Sequence, residues 1–364
     1  MKFIIVSFLI WRIFLIVITS LSLLVIPVRF GFLGGGTENY LQNPLLWGWA
    51  NMDGQHYLSL AQNGYFQFEQ AFFPLYPLLI RFFGNLLRGN YLLSALLISH
   101  FSFLGSLIIF YKLLGQEFSL KVAKWVIISL LVFPTSFFFA GVYTESLFFF
   151  LTIGSVYSLV KKKWLLAGIL AGLASATRLV GIFLLPVFFY EWWKEKKKPI
   201  LKFLAILISP MGLLFYMFYL WRTYADPLMF FHVQPAFGAG RSGEKIILLP
   251  QVLYRYLKIF TTAQLSYDYL IAVFEFVVFF LAVYLLLRYY KQISLPYLLF
   301  GWLVLLTPTL SGTLSSIPRY LLINFPLMII LGRLEGKVKI ISLSLSLLLL
   351  ILVTMFFFRG YFVS

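Results

Sequence analysis

Residues 51–77 place polar and acidic side chains between long apolar segments. This stretch contains Asp53, His56 and Glu69 within the length of one loop. A carboxylate in such a place can act as a general base that removes a proton from a substrate hydroxyl, and a nearby imidazole can assist it. The stretch ends in the aromatic run AFFPLYP. We therefore expect a site at which water, lipid head groups and substrate meet.

Asp53 has a second interpretation, as the N-cap of a short helix. It is followed by GQHYLSLAQ, in which apolar residues recur at helical spacing, and Gly64 is a typical helix stop. A capping aspartate and a catalytic aspartate can be the same residue, so the spacing leaves both roles open. Taken alone, Glu69 is typical of an interface carboxylate and His56 of a polar helix face.

The composition indicates that the elements positioning these residues lie in a membrane. The chain has 364 residues, of which 62% are hydrophobic and 11% charged. Soluble domains are about half apolar and a quarter charged, so this excess of apolar residues requires lipid as the solvent. The absence of cysteine excludes disulfides, thiolate metal sites and cysteine nucleophiles.

The formal net charge of +17 comes largely from short basic runs between apolar stretches. KKK at 161–163 and KEKKK at 194–198 are examples. This arrangement is typical of cytoplasmic loops in a multispanning protein, whereas a nucleic-acid surface requires a basic patch on a soluble domain. The pattern places the N-terminus in the cytoplasm.

The apolar stretches predict a single all-α polytopic membrane domain over residues 1–364, with about eleven transmembrane helices. Residues 29–90 form a first outer loop with short interfacial helices, including one near 72–88, and residues 222–265 form a long outer loop that can act as a lid or a binding loop. The predicted segments are residues 3–28, 91–114, 125–142, 146–160, 164–178, 179–192, 201–221, 266–287, 296–311, 320–333 and 340–358.

This topology collects the chemically interesting residues on one face. With the N-terminus inside, the loops at 51–77, 143–145, 222–265 and 311–319 all emerge on the outer side, as does the turn near Arg178. We therefore expect these distant segments to contribute to one site.

Three charged residues interrupt apolar sequence. Glu145 separates two apolar runs, and burying its carboxylate is costly unless it has a function or begins a helix. Arg178 must find an anion, either a ligand phosphate or Glu145 in a purely structural ion pair. Arg319 follows Pro318 at the outer end of a predicted span, where it can bind phosphate or anchor the helix at the interface.

Other common chemistries lack their motifs. The sequence has no Gly-Lys-Ser/Thr phosphate loop and no GxSxG elbow. His56, His100 and His232 do not have the spacing of zinc ligands. These absences argue against ATP-driven transport and most hydrolases.

The motifs together resemble the PIG-V family, the GPI mannosyltransferase II enzymes and their prokaryotic relatives. The likeness rests on DGQHY at 53–57, AQNGY at 61–65 and EQAFFPLYP at 69–77 in the first loop. YTESLF at 143–148 and ATR at 176–178, followed by Gly181, resemble later family segments.

The resemblance implies a GT-C glycosyltransferase that uses a polyprenyl-phosphate sugar, most commonly of mannose, on the face away from the cytosol. Two positions depart from the family pattern: Met52 stands where tryptophan is usual, and Gln55 where an acid often occurs. Because the second acid is missing, we expect no required metal and no other cofactor.

The expected reaction is an inverting transfer to a lipid or glycan acceptor in a prokaryotic cell membrane, with the active site facing outside. We expect no nucleic acid as a partner. The catalytic residues are then Asp53 as base, His56 as its assistant, and Glu145, which binds hydroxyls or orients Arg178. The predicted phosphate-binding residues are Arg178, Arg319 and Arg241, and the predicted substrate-binding residues are Gln55, Glu69, Tyr143 and Gln234.

Two alternatives of different class stay open at this point. Buried charges such as Glu145 and Arg178 also occur on the ion or substrate pathway of a transporter or lipid flippase. The sequence shows no internal repeat and no matching pair of interrupted helices that would favour transport. A GT-C protein O-mannosyltransferase is the other alternative, and an adjacent pair of acids in the first loop would favour it.

Overall fold

The fold is helical throughout the part of the chain that the structure describes. This computed structural model describes residues 1–195 and 199–363, and helices account for 77% of the chain, with no strand in those ranges. Lys196, Lys197 and Lys198 of the basic run at 194–198 lie outside the described residues. A helix satisfies its backbone polar groups internally, as lipid requires. The all-α expectation is confirmed.

Nineteen α-helices occur within the described ranges, joined by short loops and 3-10 turns. They are α1 (Lys2–Val25), α2 (Gly36–Gln42), α3 (Pro44–Trp47), α4 (Asp53–Asn63), α5 (Leu75–Leu86), α6 (Tyr91–Glu117), α7 (Leu120–Leu131), α8 (Glu145–Val160), α9 (Trp164–Ser175), α10 (Leu184–Lys194), α11 (Ile200–Ile208), α12 (Met211–Tyr224), α13 (Met229–His232), α14 (Leu249–Thr262), α15 (Tyr267–Arg288), α16 (Leu295–Leu306), α17 (Ile317–Leu322), α18 (Phe325–Arg333) and α19 (Gly336–Phe358).

Four helices of the described chain, α1, α6, α15 and α19, are long and apolar enough to cross a membrane. The pair α11 and α12, bent by 45° at its break, makes a fifth if it counts as one span. A straight span needs about 20 apolar residues. The predicted number of about eleven spans is therefore not confirmed by these helices.

Several predicted segments are interrupted helices. The segment 125–142 consists of α7, a turn at Pro134 and a 3-10 helix, Ser136–Ala140. Side chains of this segment bind backbone carbonyls inside the protein. The Ser136 hydroxyl donates to the Leu131 carbonyl at 2.7 Å, and the Thr135 hydroxyl donates to the Pro318 carbonyl at 2.9 Å. Irregular backbone at membrane depth is tolerated where protein buries it, and this segment is buried. The interruptions bring polar loops into the protein interior.

Residues 29–90, the first outer loop of the predicted topology, contain α2 to α5, in agreement with the prediction of short helices in this stretch. Asn51, fully buried, fixes the start of α4. Its amide oxygen accepts from the Gly34 N–H at 2.8 Å, and its amide nitrogen donates to the Phe357 carbonyl at 2.9 Å. The Tyr143 hydroxyl donates to the Asn51 carbonyl at 2.7 Å. One side chain thus connects the loop to the last helix.

Residues 222–265, the long outer loop of the predicted topology, contact residues 310–312. The Ser242 N–H donates to the Ser311 carbonyl at 2.7 Å, and the Ile247 N–H to that of Leu310 at 2.9 Å. Arg255 donates to the Gly312 carbonyl at 2.9 Å. The loop is therefore attached to the segment that leads into α17.

Replacing Asn51 with alanine is expected to destabilise the protein. The change leaves the Gly34 N–H and the Phe357 carbonyl without this partner, and each buried group left unsatisfied costs about 1–3 kcal/mol. Thermal unfolding in detergent measures the loss. Asn39→Ala is the control, because the exposed Asn39 amide donates only within its own helix, to Gly35. Equal melting temperatures for the two variants would contradict the role given to Asn51.

Candidate active site

Four predicted site residues form a continuous chain of charges. Arg178 Nη1 and Arg319 Nε both donate to Glu145 Oε1. Arg319 Nη1 donates to Asp53 Oδ2 at 2.5 Å. The order is Asp53, Arg319, Glu145, Arg178, so two carboxylates alternate with two guanidinium groups and their charges balance. We call these four residues the charge cluster.

Glu145 is the buried centre of the charge cluster. It begins α8 and has no exposed surface. Its Oε2 is also buried and has no hydrogen-bond partner among residues 1–195 and 199–363. A buried carboxylate oxygen needs a donor, so Oε2 is an acceptor available to a substrate hydroxyl. Two predictions are confirmed together: Glu145 begins a helix, and it pairs with Arg178.

Asp53 is the first residue of α4 and does not cap it. The N-cap is Met52, held at φ 55°, and no side chain caps this helix end. The capping interpretation is therefore wrong. The Asp53 carboxylate binds Arg319 instead of the helix N-terminus. Burial alone raises the pKa of Asp53, but the positive charge of Arg319, with smaller contributions from His56 and Arg241, lowers it below its ordinary value. The Asp53 side chain stays ionised at neutral pH and is 31% exposed.

Aromatic rings enclose both guanidinium groups. Arg319 lies 4.7 Å from the ring centroid of Tyr143, and Arg178 lies 4.9 Å from that of Tyr320. Arg178 also donates to the Thr144 hydroxyl at 3.1 Å. The hydroxyl of Tyr143 is committed to the backbone of the first loop, so this predicted substrate-binding residue contributes its ring face to the wall of the site.

His56 and Glu69 form a second pair beside the charge cluster. His56 Nδ1 lies 3.2 Å from Glu69 Oε1, and the imidazole stacks on Phe72 at 4.9 Å. The other oxygen of Glu69 accepts from the Phe66 N–H at 3.1 Å. Glu69 is 5% exposed, so it orients His56 and closes the loop. These contacts leave His56, not Glu69, as the residue of this pair that can face a substrate.

The remaining predicted residues lie at the edge of the site. Arg241 reaches the Ser316 hydroxyl at 3.4 Å, and its charge acts on Asp53. Gln55 is half-buried on α4. Gln234 donates to the Phe230 carbonyl at 3.0 Å, a local turn contact, and no described contact joins it to the charge cluster.

No group of three or more histidine or acidic residues that could hold a metal occurs within residues 1–195 and 199–363. The two acids of the charge cluster are each bound by a guanidinium group. Independence from metals and other cofactors stays a prediction.

Two cavities flank α4. A small one beside Asp53 and Arg319 is closed by Phe357, Phe362 and Val363. A large cavity of about 630 Å³ lies at the other end of α4, between α5, α9 and the bend of α11 and α12. Its walls are mainly apolar and include Leu78, Leu173, Ala176, Phe215 and Tyr216. Leu78 and Phe215 are more than half exposed, so the cavity reaches the apolar outer surface of the helices.

The comparison with known families agrees with this geometry. The family model described as mannosyltransferase (PIG-V) matches residues 2–337. The chain belongs to this family. It is 30% identical over 167 residues to the GPI alpha-1,6-mannosyltransferase 2 of Rattus norvegicus, and equally to that of Mus musculus. Each match covers 40% of this chain and 32% of the relative, so the chain spans about a third of the curated relatives it matches. No solved structure matches.

Sequence reasoning did not single out two buried polar residues, Asn51 and Glu275. Asn51 carries no charge, and its neighbours in sequence do not show that it joins the first loop to α19. Glu275 is an acid within the apolar segment 266–287, so the signal that singled out Glu145 was also present there. It is buried, at 4% exposure, and binds Tyr256.

Replacing Glu145 with glutamine is expected to cost about 3–5 kcal/mol of folding free energy, because Arg178 and Arg319 then share one counter-charge fewer in a buried place. Unfolding in detergent and denaturant measures it. Glu195→Gln is the matched control: Glu195 also binds two cations, Lys162 and Lys202, but at the surface. A loss no larger than that of the control would show that the charge cluster does not depend on Glu145.

Proposed function

We propose that this family member transfers mannose from a polyprenyl-phosphate mannose to a hydroxyl of a lipid or glycan acceptor, on the non-cytosolic face of a membrane. Mannosyl transfer follows from the family, whereas the donor, the acceptor and the orientation are proposals. The observation that carries them is the charge cluster: an ionised aspartate, partly exposed, next to guanidinium groups and within one helix length of a large apolar cavity.

Asp53 is proposed as the general base. The acceptor hydroxyl gives its proton to the Asp53 carboxylate as its oxygen forms a bond to the anomeric carbon of mannose. The bond from that carbon to the phosphate oxygen breaks, and the electron pair leaves with the polyprenyl phosphate. Attack on the face opposite the phosphate inverts the anomeric centre. A base with a lowered pKa is fully available at neutral pH.

Guanidinium groups are proposed to stabilise the phosphate as its charge grows. Arg319 binds Asp53 and Glu145, and a donor phosphate that draws Arg319 away from Asp53 would also free the base. Arg241 makes one long contact, at 3.4 Å, and can turn toward the same phosphate. Bidentate contacts of this kind suit phosphate oxygens, and they are strongest where water is excluded.

Glu145 and the outer loop are proposed to bind the sugar and keep water out. The unpartnered Glu145 Oε2 can accept a hydrogen bond from a mannose hydroxyl. Phe237 of the long outer loop contacts His56, with ring centroids 5.8 Å apart, and Phe72, at 5.4 Å. The loop thus covers the first-loop helices, as a lid over the acceptor side would.

The large cavity is proposed to hold the polyprenyl chain. Ala176 lines it and lies two residues from Arg178, and the Ala176 carbonyl accepts from the Leu75 N–H at 3.1 Å. A phosphate near Arg178 can therefore continue into the cavity as a lipid chain. A volume of about 630 Å³ is typical of a site for a sizeable small molecule, and the apolar walls suit an isoprenoid.

Asp53→Asn is expected to lower kcat by about 10²–10⁴-fold with little change in donor KM, because it removes the base and keeps the shape. The assay follows mannose transfer in liposomes from a labelled polyprenyl-phosphate mannose. Asp226→Asn is the control, since Asp226 also lies on an outer loop beside a histidine, His232. Wild-type turnover by Asp53→Asn would end the general-base assignment, and transfer from a nucleotide sugar alone would end the donor assignment.

Leu173→Trp is expected to raise the KM for the long-chain donor by about tenfold, because it fills space that two or more methylene groups would occupy at about 0.8 kcal/mol each. A donor with a short chain is expected to be affected less. Leu166→Trp is the control on the same helix: Leu166 is exposed and does not line the cavity. Equal KM values for both variants would place the chain elsewhere.

A further inference from the structure

Glu275 is a buried acid that the proposed mechanism does not use. It lies in α15, among apolar residues, and is 4% exposed. The Tyr256 hydroxyl of α14 donates to its Oε2 at 2.6 Å. Burying a carboxylate among apolar helices costs free energy, so such a residue is a candidate for a definite function.

Glu275 and Tyr256 together hold the turn at residues 313–316. The Tyr256 hydroxyl accepts from the Leu314 N–H at 3.1 Å and lies 3.3 Å from the Thr313 hydroxyl. The Leu314 carbonyl in turn accepts from the N–H of Ile317, the first residue of α17, at 3.0 Å. The pair of Glu275 and Tyr256 therefore holds the two residues Thr313 and Leu314, shortly before α17.

This turn sets the direction of α17, which carries Arg319. Ser316 has a φ of 68°, in the left-handed region that non-glycine residues seldom adopt, and its carbonyl accepts from the Arg319 N–H at 3.1 Å. The Ser316 hydroxyl accepts from Arg241. At six residues, α17 is too short to be stable without tertiary contacts. The orientation of α17 therefore depends on the contacts that hold the turn at residues 313–316.

We propose that Glu275 is a positioning residue: with Tyr256, it holds the turn before α17 so that Arg319 can bridge Asp53 and Glu145. This inference rests on the proposed function, because it takes Asp53 to be the base. The contacts run from Glu275 through Tyr256 and Leu314 to the start of α17, which carries Arg319, and Arg319 binds Asp53.

The inference has a consequence for the ionisation of Asp53. This carboxylate is faced by Arg319 from α17, by His56 from its own helix and by Arg241 from the long outer loop. Tyr57, Tyr143 and Glu145 are further ionisable groups close by. Arg319 makes the largest favourable contribution. When α17 is no longer held, Arg319 binds Asp53 less firmly, and the lowered pKa of Asp53 rises toward its ordinary value.

The decisive variants are Glu275→Leu and Glu275→Gln. Glu275→Leu is expected to lower kcat/KM about 10–100-fold and to move the acid limb of its pH profile up by about one unit, since an opposite charge lowers a carboxyl pKa by about 1–3 units. Glu275→Gln keeps an acceptor for the Tyr256 hydroxyl and is expected to retain most of the activity and the acid limb. Tyr256→Phe removes the hydroxyl that contacts Thr313 and Leu314, so it is expected to shift the acid limb in the same direction as Glu275→Leu.

Glu117→Leu is the matched control. Glu117 at the end of α6 accepts from the Tyr297 hydroxyl at 2.8 Å, the same kind of pair, and has no contact with the charge cluster in the described part of the chain. It is expected to leave the pH profile unchanged. A folded Glu275→Leu protein whose acid limb matches that of Glu117→Leu would overturn the positioning role.

A readout without substrate separates this inference from the proposed function. The infrared difference spectrum between each protein and its Asp53→Asn counterpart reports the titration of the Asp53 carboxyl directly. A titration that moves to higher pH in Glu275→Leu supports the positioning role even if no mannose transfer is found, in which case only the proposed function fails. An unmoved titration in folded Glu275→Leu overturns the positioning role even if mannose transfer is found.

Discussion

The interaction on which the site depends is the bridge that Arg319 makes between Asp53 and Glu145. One guanidinium group joins the first outer loop to the start of α8, across 266 and 174 residues of sequence. Arg178, in the turn after α9, also binds Glu145, so that the cluster has two positive and two negative charges. Without a balanced cluster, each of these charges would be costly in a protein surrounded by lipid. The helices that carry them are therefore held in one arrangement.

The low polarity of the surroundings also explains why the helices are interrupted where they are. Irregular backbone needs internal partners at membrane depth, and the turn at Pro134 finds them in Thr135, Ser136 and the Pro318 carbonyl. Residues 136–145 then run through the interior and deliver Glu145 to the centre of the site. A continuous helix over 125–142 would have kept that backbone regular but could not have followed this path.

The same arrangement separates two environments that the proposed transfer from a lipid-linked donor would use. At the start of α4, charges and the long outer loop surround Asp53; at its end, the apolar cavity opens toward the outer surface of the helices. A lipid-linked donor has a charged phosphate suited to the first environment and an apolar chain suited to the second. Family membership supports mannose as the sugar, and the distribution of charge and apolar surface supports a donor with a lipid chain.

The sequence by itself determined the helical class and the family, and it singled out Asp53, Glu145, Arg178 and Arg319 as candidates, because a charge between apolar segments is a local signal. The sequence offered Glu145 as one possible partner of Arg178. Only the tertiary structure decided that Arg319 joins Asp53 to Glu145, since these partners lie 266 and 174 residues away and spacing contains no information on them. It also decided that Met52 rather than Asp53 caps α4, and that the predicted span at 125–142 is interrupted. Pairing and burial depend on contacts between distant segments, whereas the periodicity of a single segment does not.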